Sequence, residues 1–209
     1  MKLPLAKEGF VFIVPRLVFT ILMFLLSFYW AAVFLGLGFL FVTWFFRDPE
    51  RHIPNEPNVI VSPADGKITE IVTEKEPING ELCKRVTIFL SVFNVHVNRV
   101  PIAGTIEEIR YNPGKFLAAF NPKASMDNEQ NIILINNGKA HVFIKQIAGL
   151  IARRIVCWPK KGDYYESGQR YGLIRFGSRV DILLPETTKL SVTCGDSVSG
   201  GKSIIGYLT

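Results

Sequence analysis

A serine follows a glycine inside an apolar run at Arg175-Phe176-Gly177-Ser178-Arg179-Val180-Asp181. A glycine within a β-patterned run marks a bulge or a close backbone approach. Where the backbone bends, the Ser178 hydroxyl can reach the carbonyl just before it. That geometry serves an intramolecular acyl shift. The plain alternative is a kink with a solvated serine, since Gly-Ser pairs mostly mark turns. Two more side chains add a base and an orienting carboxylate. His96 lies in Phe93-Asn-Val-His-Val-Asn-Arg-Val-Pro101, where alternation puts Asn94, His96 and Asn98 on one face of a strand. A histidine on a polar face can move a proton near neutral pH, or can be a structural residue bonded to a neighbouring amide. Asp65, in Val61-Ser-Pro-Ala-Asp-Gly-Lys67, reads either as hairpin-turn chemistry or as the third member of a nucleophile, base and orienter set. His52 and His141 have no partner by pattern and read as structural.

Other chemistries lack their required spacing. Gly200-Gly-Lys-Ser203 has Asp196 where a phosphate-binding loop needs its first glycine, and too few residues follow it for the helix. Gly195-Asp-Ser-Val-Ser199 lacks the closing glycine of a nucleophile elbow. Cys83, Cys157 and Cys194 are odd in number and widely spaced, which argues against a disulfide framework or a zinc site. They read as buried thiols in a reducing compartment. The net charge of +6 has no basic run interleaved with aromatics, so a nucleic-acid partner is not expected.

The elements that must position these residues fall into two parts. Leu17 to Phe46 carries no charge. As one helix it would be about 45 Å long, against a hydrocarbon core of about 30 Å. Basic residues flank both ends, with Lys2, Lys7 and Arg16 before and Arg47 and Arg51 after. The positive-inside rule then places both flanks on the cytoplasmic side. A helical hairpin bent at Ser27–Trp30 or Gly36–Gly38 satisfies this, with a single tilted span as the alternative. The segment lacks a cleavage site and is read as retained. The expected organisation is a membrane-associated helical segment over 1–46, a proline-rich linker over 47–57 and a β-rich domain over 58–209. The fold class expected is mainly β, a barrel or sandwich-like catalytic domain behind an N-terminal membrane-associated helical hairpin. Short strands are predicted from Val59–Val61 through Ser203–Tyr207, including Val95–Val100, Arg153–Trp158, Gly172–Phe176, Val180–Leu184 and Leu190–Cys194. Lys115–Phe120 is read as a helical turn.

With these residues in place, the sequence resembles the phosphatidylserine decarboxylase proenzyme family in its short form. Four pieces in order carry the resemblance: Ser62-Pro-Ala-Asp-Gly66, Asn94-Val-His-Val-Asn-Arg-Val-Pro101, Gln146-Ile-Ala-Gly-Leu-Ile-Ala-Arg-Arg-Ile155 and Arg175-Phe-Gly-Ser-Arg-Val-Asp181. The resemblance implies autocatalytic serinolysis at Gly177-Ser178, with Ser178, His96 and Asp65 as catalytic residues. It implies a covalent pyruvoyl group derived from Ser178, which acts as electron sink without pyridoxal phosphate or a metal. It implies decarboxylation of phosphatidylserine to phosphatidylethanolamine, with His96 also the candidate proton donor. The two cleavage products would stay associated, at the cell membrane with the catalytic domain on its cytoplasmic face, and the pattern leaves room for a homo-oligomer. Longer bacterial members carry Leu-Gly-Ser-Thr at the cut and two histidines near the His96 segment; this chain has Phe176-Gly-Ser-Arg179 and one. The alternatives are an archaetidylserine decarboxylase of the same mechanism, a membrane-tethered serine hydrolase, and a non-catalytic β-barrel binding module.

Overall fold

The computed structural model describes residues 4–78, 80–114, 128–149, 154–175 and 178–209. The chain divides into two compact units, 1–50 and 51–209. The read helical turn at 115–120 lies outside the described residues, as do Phe176 and Gly177.

The first unit is a hairpin of two apolar helices, α1 (Phe10–Leu25) and α2 (Tyr29–Phe45), led in by a 3-10 turn at Lys7–Gly9. The bend is at Ser27, with φ +62°. It is closed by Ser27 N–H to Phe24 C=O at 3.1 Å and Phe28 N–H to Met23 C=O at 2.9 Å. Gly36 and Gly38 lie inside α2 instead. The open ends are tied together: Ala6 N–H donates to Phe46 C=O, Asp48 N–H donates to Pro4 C=O, and Leu5 pairs with Arg47. Thr20 and Thr43 turn their hydroxyls onto the carbonyls of Arg16 and Phe39, so neither leaves an unsatisfied polar group on an apolar helix. Large side chains such as Leu25, Trp30 and Phe34 are exposed on this unit. Residues Lys7–Leu25 have a mean hydropathy of 2.0 and are long and apolar enough to cross a membrane by length and composition.

The second unit is mainly β. Its strands are β1 (Val59–Val61), β2 (Gly66–Lys75), β3 (Leu82–Leu90), β4 (Val97–Arg99), β5 (Gly104–Asn112), β6 (Gln130–Asn136) and β7 (His141–Ala148). They continue with β8 (Ile155–Cys157), β9 (Tyr164–Tyr165), β10 (Arg170–Ile174), β11 (Ser178–Pro185), β12 (Lys189–Leu190), β13 (Ser197–Val198) and β14 (Ile204–Tyr207). An eight-stranded sheet runs β13-β2-β3-β11-β7-β6-β5-β9; two three-stranded sheets run β1-β14-β12 and β4-β10-β8. Alternation sends Ile68, Val86, Ile88, Ile106, Ile133, Ile135, Ile144, Val180, Ile182 and Leu184 into one core.

β11 is the central strand. It pairs antiparallel with β3 from Ser178↔Leu90 to Pro185↔Cys83 and with β7 from Ser178↔Ala148 to Leu183↔Phe143. β10 belongs to a different sheet, where Leu173 faces Val97 and Val156. The apolar run from Tyr171 to Leu184 therefore supplies two strands to two sheets.

Three expectations are corrected. The strand predicted over Val95–Val100 is only Val97–Arg99, because Asn94 closes a turn on Ser91. The strand predicted over Leu190–Cys194 stops at Leu190. There the Asp196 carboxylate accepts from the Thr193 N–H at 2.7 Å, and Gly195 adopts φ +100°, which makes a turn. Of the three cysteines, all free, only Cys83 is buried; Cys157 is half-buried and Cys194 exposed. Burial, with Glu74 and Glu76 nearby, pushes the Cys83 thiol up to about 11.

Candidate active site

Ser178 is the first residue of β11, and the ladder to β3 and β7 holds its backbone on both sides. Alternation places its side chain on the same face as Val180 and Ile182, toward the core. The residue is wholly buried, and its Oγ has no hydrogen-bond partner among the described residues. Buried hydroxyls are nearly always bonded, and an exception in a native fold calls for an explanation.

The loop at 91–96 leaves β3 at Leu90, the residue paired with Ser178. Asn94 shapes it: its Oδ1 accepts from the Ser91 N–H at 2.9 Å and from the Ser91 hydroxyl at 2.7 Å. The loop ends at His96, whose carbonyl accepts from Ile174 N–H at 3.4 Å, at the end of β10. His96 is thus bonded to the last residue of β10, and Ser178 is the first residue of β11. The His96 ring is 2% exposed, with Nδ1 2.9 Å from the Asn94 carbonyl oxygen. A carbonyl only accepts, so Nδ1 carries the hydrogen and the neutral ring keeps its lone pair on Nε2.

Asp65 sits in the bend before β2. Gly66 follows because a Cβ there would collide with the Phe89 carbonyl oxygen. The Asp65 carboxylate accepts from Arg51 Nη2 at 2.9 and 3.2 Å and from the Gly200 N–H at 2.7 Å. The Gly200–Ser203 turn, with the wrong spacing for a phosphate loop, is thus where Asp65 is anchored. None of the hydrogen bonds recorded for Asp65 runs to His96. Arg51, which the sequence presents as a flanking charge in a proline-rich stretch, is its ionic partner, with both side chains largely buried. His52 is exposed, and His141 makes an exposed pair with Glu107 at 3.1 Å.

The opposite face of β11 carries a network that sequence reasoning missed. Arg179 Nε and Nη2 donate to the two oxygens of Asp181 at 2.6 and 2.9 Å, and Nη2 also reaches the Thr87 hydroxyl at 3.2 Å. Arg85 approaches Asp181 at 4.0 Å and pairs with Glu70 and Glu74 at 2.8 Å. Burial lowers the pKa of the neighbouring Lys145 ammonium, against the pull of Asp181 and Glu74. The network ties the first turn of β11 to β2 and β3. Removing one partner of a buried pair strands the other charge, at a cost of about 3–5 kcal/mol. Asp181→Ala is expected to lose stability on that scale in urea denaturation, whereas Glu70→Ala, at an exposed position, should change it by less than about 1 kcal/mol.

Among the described residues, no group of three or more His, Cys, Asp or Glu is placed to hold a metal ion. The described residues thus put a buried hydroxyl at the first residue of the central strand and a buried histidine whose carbonyl is bonded to the last residue of β10.

The sequence profile described as phosphatidylserine decarboxylase matches residues 39–206. A phosphatidylserine decarboxylase proenzyme of Syntrophus aciditrophicus (strain SB) is 48% identical over 206 residues, covering 97% of this chain and 96% of its own. Proteins of the same name from Desulfotalea psychrophila (strain LSv54 / DSM 12343) and Geotalea uraniireducens (strain Rf4) are 47% and 44% identical. They cover 99% and 98% of this chain, and 98% and 97% of theirs. These relatives put the chain among decarboxylases. It belongs to the phosphatidylserine decarboxylase family.

Proposed function

We propose that the chain is a proenzyme that cuts itself between Gly177 and Ser178 and then decarboxylates phosphatidylserine to phosphatidylethanolamine. The observation that carries this is the buried Ser178 Oγ at the start of the central strand, without a hydrogen-bond partner among the described residues, in a chain of this family. Ser178 Oγ attacks the Gly177 carbonyl carbon as its proton passes to His96. The peptide C–N bond breaks, the Ser178 nitrogen takes up a proton, and an ester remains. Loss of the residue-178 Cα proton then expels Gly177 as a carboxylate and leaves a dehydroalanine. Addition of water and release of ammonia convert this residue to a pyruvoyl end. The group fits the site, because it occupies Ser178's own buried place and its formation costs no hydrogen bond of Oγ. Once formed, it supplies the electron sink for loss of carbon dioxide. His96 is the residue that moves protons at both stages. Asp65, fixed by Arg51 and Gly200, would serve as the orienting carboxylate only after a rearrangement at His96, whose Nδ1 is held by the Asn94 carbonyl. A direct bond to His96 Nδ1 would require it to displace the Asn94 carbonyl. The products, 1–177 and 178–209, would stay associated through the β3-β11-β7 ladder.

Purified protein should release carbon dioxide from phosphatidylserine in mixed micelles, with no added pyridoxal phosphate, and should give two masses on denaturation. Turnover by a single unmodified chain would overturn the pyruvoyl reading. Turnover of archaetidylserine alone would move the substrate, and ester hydrolysis without carbon dioxide would favour the hydrolase.

The hairpin of the first unit would tether the enzyme to the membrane where its lipid substrate is. Its two ends are bonded together and carry Lys7, Arg47 and Arg51 nearby, which favours both on the cytoplasmic face. In a Cys194→Ser background, single cysteines at Lys7 and His52 should both resist an impermeant maleimide in intact cells and both label after lysis. Labelling of one alone from outside would rule out this topology.

A further inference from the structure

The candidate residues share one end of three neighbouring strands. β2 and β11 both pair antiparallel with β3, so they run the same way. Lys67 and Arg179 both stand opposite Phe89. One residue earlier, Gly66 and Ser178 begin their strands level with each other, about 10 Å apart at the usual strand spacing. Asp65 is the next residue out from Gly66. The 91–96 loop that ends in His96 leaves β3 between them, and the Arg99 N–H donates to the Pro63 carbonyl at 2.9 Å.

Asp65 is held from outside those strands. Arg51 Nη2 donates to its two oxygens, and the Gly200 N–H donates to Oδ1. Oδ1 thus takes two bonds and Oδ2 one. A carboxylate oxygen has two lone pairs, so Oδ2 keeps one open. Arg51 comes from the proline-rich segment, and Ile53, two residues on, seats that segment in the domain. A Cβ at Gly168 would collide with the Ile53 side chain, and one at Gly201 would meet Ile53 Cδ1 at 3.1 Å. Both glycines turn at positive φ, +74° and +73°. Both turns are bonded inward, Gly168 N–H to the Val100 carbonyl at 2.7 Å and Gly201 N–H to the Ser62 carbonyl at 2.8 Å. Ile53 is therefore wedged between two glycine turns, and the second of them also supplies the Gly200 N–H that holds Asp65. A segment that served only as a tether would need no such seat.

We infer that Arg51 is a positioning residue for self-cleavage, acting through Asp65, and that the 51–53 strap is part of the candidate site. Arg51 and Gly200 hold the Asp65 carboxylate in one rotamer at the strand end level with Ser178, with one lone pair on Oδ2 still open to the His96 ring. Arg51 takes no part in the bonds made or broken. Without it the carboxylate keeps a single backbone bond and can swing about Cα–Cβ. This rests on the reading of the chain as a self-cleaving proenzyme with Asp65 in its set. A misplacement of about 1 Å can slow a reaction by about 10²-fold.

The test is the rate of chain cleavage, followed by denaturing gel and intact mass after synthesis of the full chain in a cell-free system. The variants are Arg51→Gln, Arg51→Lys, Ile53→Ala, Asp65→Asn, and Arg51→Gln combined with Asp65→Asn. Melting temperatures of the same changes in an uncut Ser178→Ala background report folding, and cleavage is assayed well below the lowest of them. Arg51→Gln is expected to cleave about 10–100-fold more slowly. Arg51→Lys keeps the charge and a donor, and it should recover most of that loss, because one nitrogen makes both bonds. Ile53→Ala, which loosens the seat and keeps Arg51, should slow the cut less than Arg51→Gln does. The double variant should cleave within about twofold of Asp65→Asn alone, because two changes on one route do not multiply. Effects that do multiply would overturn the proposal, since Arg51 would then act without Asp65. Cleavage of Arg51→Gln at the wild-type rate would also overturn it. Rates that simply follow melting temperature across the variants would overturn it in favour of a strap that only stabilises. A wild-type chain that never cleaves would instead remove the proenzyme reading itself.

Discussion

Ser178→Ala is expected to leave one uncut 209-residue chain with no decarboxylation above background, at least as stable as the uncut wild type. The first half follows from the proposed chemistry: the substitution removes the oxygen that would attack the Gly177 carbonyl carbon and then leave in its carboxylate, so neither the cut nor the elimination can occur. The second half comes from the structure. Most Ser→Ala changes in a core lose a hydrogen bond, but the Ser178 Oγ has none to lose among the described residues. Its removal takes away a buried, unsatisfied hydroxyl, and such a change is neutral or stabilising by up to about 1–2 kcal/mol. The backbone ladder to Leu90 and Ala148 is untouched. Intact mass and urea midpoints, compared with freshly made uncut wild type, check both halves. A large loss of stability would show that Oγ is structural. Cleavage in the alanine variant would place the nucleophile elsewhere.

High cost and low engagement meet at two buried polar atoms of this fold. The oxygen of Ser178 and the donor end of Asn98 are both fully buried with no hydrogen-bond partner among the described residues, in a domain whose core is built mostly of isoleucine, valine and leucine. A sequence that needed only a packed barrel would place apolar side chains at both. These positions violate the local rule for stability, and sites that do so are where function is expected.

What was legible in the sequence was whatever repeats along the chain. Strands such as Leu82–Leu90 and His141–Ala148 alternate over enough residues to show their period. The apolar helices show by length and by the charges at their ends. Tyr164–Tyr165 and Ser197–Val198 were missed because two residues have no period. Asn94 was placed on a strand face with His96 because alternation cannot see that an asparagine oxygen will capture the Ser91 N–H and break the strand. The partners of the site were the least legible. Arg51 reaches Asp65 across fourteen positions, Gly200 reaches it from the far end of the chain, and Gln146 reaches Asn98 across forty-eight. Such contacts are set by which sheets close on each other, which no short window records. The run from Tyr171 to Leu184 shows the limit well. Its pattern is that of one interrupted strand, yet it supplies strands to two sheets, and Ser178 opens the second of them.

His96→Gln is the second large effect, expected to lower both self-cleavage and turnover by about 10²–10⁴-fold, the usual worth of a general acid or base. The buried ring is fixed by its Nδ1 bond to the Asn94 carbonyl, which leaves Nε2 to accept a proton. Glutamine keeps a polar side chain of similar reach but cannot carry that proton. Two readouts separate the stages. Cleavage is followed by mass, and turnover is expressed per cleaved chain, so slow maturation does not pass for slow decarboxylation. His141→Gln and His52→Gln are the controls. Both positions are exposed and outside the core, and their rates should stay within about twofold of the wild type. If His96 acts only on the cut, turnover per cleaved chain will be normal while maturation is slow. If it acts only on the lipid, the reverse will hold. Because the ring is bonded to the loop it closes, a fall in both rates is decisive only when the melting temperature holds. His96→Asn, which cannot reach as far, should then be as slow as His96→Gln. Near-normal rates at both stages would remove His96 from the mechanism and leave Ser178 to be activated by another base.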